Sequence, residues 1–577
     1  MKRSQQHLLQ LLAVLVFTCA AAGAFAQGPP PPPPPPPLGP PPPPNPGNPL
    51  TPAKINLGKV LFWDEQLSSS RTVSCGTCHI SKSGGADPRS ATSALALAPG
   101  LDGIYGNADD TLGSPGVPLA DANGFYMMST HFGIGVQATT RRTMTSINAA
   151  YSNLLFWDGR ATATFTDPIT NTVVLPNAAA LESQSMGPPA NAVEMGHQSR
   201  TWTEIVERIG AAEPLALATE APSALLLWVN GRGYPELFAE AFGSNEITAA
   251  RVGMAIASYE RTLFTNQTPF DDFNGGNASA LTQQEQNGRT VFVTSGCAVC
   301  HGGPLLTDQQ FKYTGVRPAA EDEGRFIVTG NNGDHGRMRT PGLRNLELRA
   351  PYMHNGRFPT IESVVDFYDR GGDFTAPNKD PAVRPLNLTA NQKADLVAFL
   401  KRPLTDLRLV RGDYPFDRPT LYSESSRVPV VEGSGLAGSG GLEPMVVAVE
   451  PAMIGNPSFA VGVQNALGGA AALLVIGDAD PGLTPPASGS FAFENVVLGG
   501  SGNGNGFGSA HVAVANDLTL SGKEFFGRWY VTDPAAAGGV AVSPVFHFKV
   551  FPPLSVASVW YDNFETGDTS RWSVVVQ

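Results

Sequence analysis

Apolar and polar positions along this chain follow two different rhythms, and the change between them divides it. From residue 51 to 429 the apolar residues recur at helical spacing, separated by long polar connections. Thr282-Gln283-Gln284-Glu285 has the form of a capping box and predicts a helix start. Thr389 likewise opens a stretch in which Leu396, Val397, Phe399 and Leu400 recur at helical spacing. Gly- and Asp-rich segments such as 101–116 predict surface loops. After Pro429 the rhythm shortens. Runs of β-prone residues at 445–449, 472–476, 511–515 and 529–531 alternate with Gly-, Pro- and Asn-rich turns, the pattern of a β-sandwich-like module.

The first residues read differently. Met1-Lys2-Arg3, an apolar run from Leu8 to about Ala22, and Ala24-Phe25-Ala26 together form the pattern of a cleaved secretory signal. The run is short for a membrane span, which needs about 20 residues. Cys19 lies inside it, but Thr18 before it argues against a lipid-modified cysteine. Residues 28–49 are mostly proline and predict an extended spacer without helix or sheet. The expected organisation is therefore a signal peptide (1–26), a Pro-rich linker (27–50), two helical domains (51–265 and 266–429), a β-sandwich-like module (430–555) and a C-terminal appendage (556–577).

Length and charge narrow the picture. At 577 residues the chain exceeds the roughly 250–300 at which single cores stop growing, so several domains are required. A net charge of −12 argues against a nucleic-acid partner. An exported protein, periplasmic or at the cell surface, without a transmembrane segment is expected.

Four cysteines remain beyond the signal, and they are not scattered as disulfide partners would be. Cys75-Gly76-Thr77-Cys78-His79 and Cys297-Ala298-Val299-Cys300-His301 are two tight pairs, each followed at once by histidine. Two thiols at this spacing can each form a thioether to a haem vinyl group, leaving His79 and His301 as proximal iron ligands. A redox disulfide does not need the histidine, and a zinc site of four cysteines would leave both histidines unexplained. Two covalently bound c-type haems follow, in two mainly α-helical cytochrome c-type domains.

Several further segments then acquire meaning. Leu57-Gly58-Lys59-Val60-Leu61-Phe62-Trp63-Asp64, Phe156-Trp157-Asp158-Gly159-Arg160, Glu194-Met195-Gly196, Arg339-Thr340-Pro341-Gly342-Leu343-Arg344-Asn345 and Ala350-Pro351-Tyr352-Met353-His354-Asn355-Gly356 occur in this order. In these motifs the stretch 51–409 resembles the bacterial dihaem cytochrome c peroxidases, a family that includes the MauG enzymes, which oxidise residues of another protein. The resemblance does not reach the C-terminal module.

It implies that the first haem meets hydrogen peroxide and the second exchanges electrons with a donor. Glu194 matches the catalytic distal glutamate, whose pKa an apolar pocket would raise. Gln184 matches a neighbouring pocket residue, beyond an insertion at 162–180. Trp157 matches the tryptophan that relays electrons between the haems. At the position where many relatives carry a methionine ligand to the second iron stands Tyr368, as in MauG-type enzymes. A phenolate is a harder donor that favours oxidised iron. Met353 is the competing ligand, and His354 reads as a neighbour rather than a ligand. His131 reaches the position of a distal ligand to the first iron only with a gap in the register, so an exposed loop histidine is the preferred reading.

The resemblance also implies calcium between the haem domains, held by the carbonyls of Arg349 and Pro351 and by an asparagine. Arg142 stands at the asparagine position and cannot ligate calcium, which argues against the ion. The acidic loop at 102–110 reads as a solvated turn in preference to a calcium site. The expected function is an exported dihaem peroxidase of the MauG-like branch, acting with a small redox protein donor or a protein substrate. The rival reading is a dihaem electron-transfer cytochrome without peroxide turnover, against which Glu194 speaks.

Overall fold

The computed structural model describes residues 35–554. The expected signal peptide (1–26) and C-terminal appendage (556–577) lie outside the described residues. Among the described residues no helix is long and apolar enough to cross a membrane.

The proline-rich stretch from Pro36 forms no helix or strand, as its composition predicts. From Leu38 on, however, it packs against the folded protein rather than standing off it. Leu38 is buried, its N–H donates to Asp271 Oδ1 at 3.1 Å, and Tyr151 Oη donates to the Gly39 carbonyl at 2.5 Å. Asn48 is buried too, donating to Glu182 Oε1 at 2.9 Å. Leu38 and two asparagines among the prolines supply the apolar and polar anchors that a pure proline run lacks.

Helix α1 (Pro52–Trp63) starts at Thr51, whose side chain caps Lys54 N–H. Hairpin β1–β2 (Pro115–Pro118 with Val136–Ala138) and hairpin β3–β4 (Leu154–Leu155 with Ala161–Thr162) follow. Helices α2 (Ala180–Ser185), α3 (Trp202–Ala211) and α4 (Ala249–Glu260) are among those of the first half. The segment 162–180 carries a small hairpin of its own, Phe165–Thr166 with Val173–Leu175. In one core, Leu57, Leu61, Phe62 and Trp63 of α1 meet Ile205 of α3 and Val252, Ile256 and Tyr259 of α4.

The second half opens with α5 (Gln283–Thr294), where Thr282 and Glu285 form the capping box that the sequence predicts. Helices α6 (Ile361–Asp369) and α7 (Ala390–Leu400) pack with it through Phe292, Val365, Phe367, Leu396 and Phe399. Each such side chain contributes about 1.5–3 kcal/mol on burial. Both halves are less helical than expected, because long connections with two- to four-residue strands carry much of the chain. Those connections bear the site.

Beyond residue 429 the chain is strand-rich: β5 (Val430–Glu432), β6 (Met445–Val447), β7 (Phe459–Gly468), β8 (Ala471–Gly477), β9 (Ala492–Val497), β10 (Gly502–Val512), β11 (Glu524–Thr532), β12 (Val540–Val542) and β13 (Val545–Lys549). One antiparallel sheet runs β5-β13-β11-β8-β9, with β12 also on β11, and a second runs β6-β7-β10. Val461 and Val463 of the second share a core with Leu474, Trp529 and Phe546 of the first.

Candidate haem-binding and peroxide site

Each cysteine pair folds as a single helical turn ending at its histidine. Ser74 caps Cys75–Cys78 reciprocally with Thr77, and Gly296, at φ +90°, starts Cys297–Cys300. His79 Nδ1 lies 3.0 Å from the Gly85 carbonyl and His301 Nδ1 lies 3.0 Å from the Leu306 carbonyl. A carbonyl only accepts, so Nδ1 carries the proton in both rings and Nε2 is left for a metal. Burial lowers the pKa of both imidazoles, which keeps them neutral.

Both turns line one cavity of about 1120 Å³. That exceeds the roughly 300–1,000 Å³ of an ordinary small-molecule pocket. Buried cations surround it. Arg142, Arg339 and Arg349 line the cavity, and each has a buried Nε without a hydrogen-bond partner. Burial pulls all three below the usual arginine range. Anionic carboxylates such as haem propionates would offset that cost. Neutral histidines, paired thiols and unpaired cations around one large cavity fit two haems. The sequence pointed to Arg142 and Arg349 only in connection with calcium, and to Arg339 only as the start of a motif, so their role as cations facing the cavity was not read there.

Glu194 lines the cavity on the side of the first motif, where its charge is felt by both Cys75 and Cys78. Burial raises its pKa, and Arg160 partly opposes the shift. Its backbone is held from several directions. Asn191 Oδ1 accepts from the N–H groups of Val193 and Glu194 at 2.9 and 3.1 Å. Val117 of β1 donates to the Val193 carbonyl at 3.1 Å, and Gln137 of β2 donates to the Ala192 carbonyl at 2.8 Å. A methyl group at Gly116 would lie 1.8 Å from the Val193 carbonyl oxygen, so only glycine allows this approach. Gln184 lines the same cavity from α2.

Trp157 sits in the tight β3–β4 turn, 9% exposed. Its Nε1 donates to the Arg142 carbonyl at 2.8 Å, and its ring centroid lies 6.2 Å from that of His354. Ties to the second half hold the turn. Arg141 bonds Asp158 at 2.7 Å and Asp322 in a fork at 2.5–2.6 Å, Arg325 donates to the Asp158 carbonyl, and Arg339 N–H donates to the Trp157 carbonyl.

Tyr368 reaches the cavity from α6, where burial, then Cys297 and Cys300, raise its phenol pKa. Met353, at φ +70°, and His354 line the same wall. Burial holds His354 near pKa 4, so it stays neutral. His131 is not brought to the site. It is exposed on a loop beside Tyr105, whose hydroxyl donates to its carbonyl.

The residues do not fit calcium between the halves. The Arg142 guanidinium donates through Nη2 to the Arg349 carbonyl, with the Ala350 carbonyl 3.4 Å away. A fixed positive charge thus takes the oxygen that the ion would need. In the acidic loop, Asp102 and Asp110 accept from the N–H groups of Ile104 and Gly106, as in a solvated turn.

Comparison with known proteins agrees with this chemistry. The di-haem cytochrome c peroxidase family matches residues 52–279, and the cytochrome c family matches residues 285–402. Methylamine utilization protein MauG of Methylorubrum extorquens is 30% identical over 61% of this chain and 79% of its own length. Cytochrome-c peroxidase IdrP1 of a Pseudomonas species is 29% identical, over 74% of this chain and 98% of its own. The cytochrome c551 peroxidase of Nitrosomonas europaea is 30% identical over 65% of this chain and 84% of its own. The chain belongs to the di-haem cytochrome c peroxidase family that includes MauG, and is an oxidoreductase of the peroxidase class with two covalently bound c-type haems.

Proposed function

We propose that this protein is an exported peroxidase of the MauG-like branch. The observation that carries the reading is the sharing of one cavity by both haem-attachment turns, Glu194, Trp157 and Tyr368. Bound haem supplies the electrons that, with two protons, convert hydrogen peroxide to two waters. Glu194 moves a proton between the two peroxide oxygens, and burial raises its pKa above the ordinary carboxyl value, toward that of a group that can both hold and release the proton. Gln184 orients the peroxide beside it. Trp157, hydrogen-bonded to Arg142 and close to His354, couples the two centres. Tyr368 would hold the second iron through its phenol oxygen, a harder donor than a thioether that would favour the oxidised metal. The equivalents are taken from a small redox protein or from an aromatic side chain of a protein substrate.

The organisation we propose is a peroxidatic domain at 51–265, an electron-transfer domain at 266–429 and a β-sandwich at 430–555. The shared core of the two C-terminal sheets supports the last of these. Periplasmic or surface location rests on the basic, then apolar, then Ala-Phe-Ala start of the sequence.

Stopped-flow spectra of the haem-loaded protein mixed with hydrogen peroxide, with and without candidate donors, test the reading. A rapid spectral change that a donor reverses is the expected result. A protein that exchanges electrons but leaves peroxide untouched would be an electron-transfer cytochrome instead.

A further inference from the structure

The C-terminal strand-rich region grips one element of the first half, the loop between β1 and β2. Gln464 of β7 accepts from the Ile134 N–H through Oε1 at 2.9 Å. Ser509 of β10 accepts from the Tyr126 N–H through Oγ at 3.0 Å, and Tyr126 Oη donates to Glu450 at 3.4 Å. Phe125 stacks on His511, with centroids 4.2 Å apart and planes within 7°. Ala120, Tyr126 and Ile134 are buried in one cluster with Val447 and Ala460. The approach is close: a methyl group at Gly462 would meet Ile134 at 2.7 Å and Tyr126 at 2.8 Å.

The other end of this hairpin is where Glu194 is held. Val117 and Gln137 bond the Val193 and Ala192 carbonyls, and Gly116 lies against the same strand of backbone. One hairpin therefore has its tip in the C-terminal module and its base under the carboxylate of the cavity.

We infer that the C-terminal module is a part of the peroxide site, and that Gln464 and Ser509 are positioning residues that set Glu194 through the β1–β2 hairpin. The inference rests on the reading of Glu194 given above. Its physical basis is that loops without such anchors open at little cost, whereas this one is hydrogen-bonded at both ends and buries Ala120, Tyr126 and Ile134 against the C-terminal module. The general base must sit within hydrogen-bond reach of its proton, so a looser hairpin spreads the carboxylate over unproductive positions.

The test uses the full-length, haem-loaded protein carrying Gln464→Ala with Ser509→Ala. Hydrogen exchange read by mass spectrometry over residues 120–134 and 191–196 should rise together. The peroxide reaction should slow by roughly 10- to 100-fold, the scale for a displaced catalytic group. Gln464→Glu, which keeps an oxygen for the Ile134 N–H, should leave both readouts near those of the parent. Phe125→Ala, a milder change at the tip, provides the same comparison if the double variant does not fold. Faster exchange at 120–134 with unchanged exchange at 191–196 would overturn the inference, as would an unchanged peroxide rate in a loosened hairpin. Glu194→Gln separates the two readings. If that variant reacts with peroxide at the parental rate, the role of Glu194 fails, while the exchange coupling stands or falls by itself.

Discussion

Trp157 donates its indole N–H to the Arg142 carbonyl at 2.8 Å, while the guanidinium of the same arginine donates to the Arg349 carbonyl. One residue thus ties the tryptophan turn of the first half to the segment before Ala350 in the second. Exhaustive EGTA treatment should leave the haem spectra and the peroxide reaction unchanged, because a side chain already supplies the positive charge. Arg142→Ala should cost about 1.5–3 kcal/mol, the range for a hydrogen bond to a charged group, in a denaturant titration.

Replacing Glu194 with glutamine should slow peroxide cleavage by about 10²–10⁴-fold. The sign of the pH dependence follows from burial. A carboxyl whose pKa stands above its ordinary 4.5 becomes a base only at higher pH, so the parental rate should rise with pH through a midpoint above that value. Rates measured from pH 4 to 8 should show this limb in the parent and none in the glutamine variant.

The sequence was legible where chemistry or capping is local. The two cysteine turns need only five residues each, and Thr282 and Thr389 announce α5 and α7 by side-chain hydrogen bonds three residues on. Parts that depend on distant partners were hidden. Hairpin β1–β2 is built on proline and glycine, and its hold on Glu194 and on Gln464 comes from segments far away in the chain. Strand β7 passed unnoticed because Gly462 and Gly468 break its β-prone look. For His131 the register counted through a loop left two readings open, and the side chain is exposed on its loop, as the loop reading had it. The proline stretch misled for a related reason, since Leu38 finds its pocket only in the folded protein.

Tyr368 should be visible in the spectrum of the second haem. Tyr368→Phe should alter the low-spin bands, and Tyr368→Met should raise the reduction potential of that centre by exchanging an anionic oxygen for a neutral thioether. Unchanged low-spin bands in both variants would remove Tyr368 as a ligand.

Three buried carboxyls, two of them away from the cavity and Glu260 on its wall, predict how stability varies with pH. Burial raises Glu65 and Glu260 to about 8 and Glu450 to about 7. A carboxyl with a raised folded-state pKa binds more protons folded than unfolded, so its contribution is present below the unfolded pKa and is lost as pH climbs through the folded one. Thermal midpoints should therefore fall between about pH 5 and 8. Glu450→Gln, which cannot ionise, should flatten part of that slope.

The equivalent contacts of His79 and His301 with peptide carbonyls reach further than tautomer choice. A neutral oxygen lends an imidazole little of the imidazolate character that a carboxylate would, so neither ring pushes electron density strongly onto its metal. On this count the proximal sides match, and a division of labour between two centres has to be written on their opposite faces. Tyr368 for one and Glu194 for the other are the residues we propose for it.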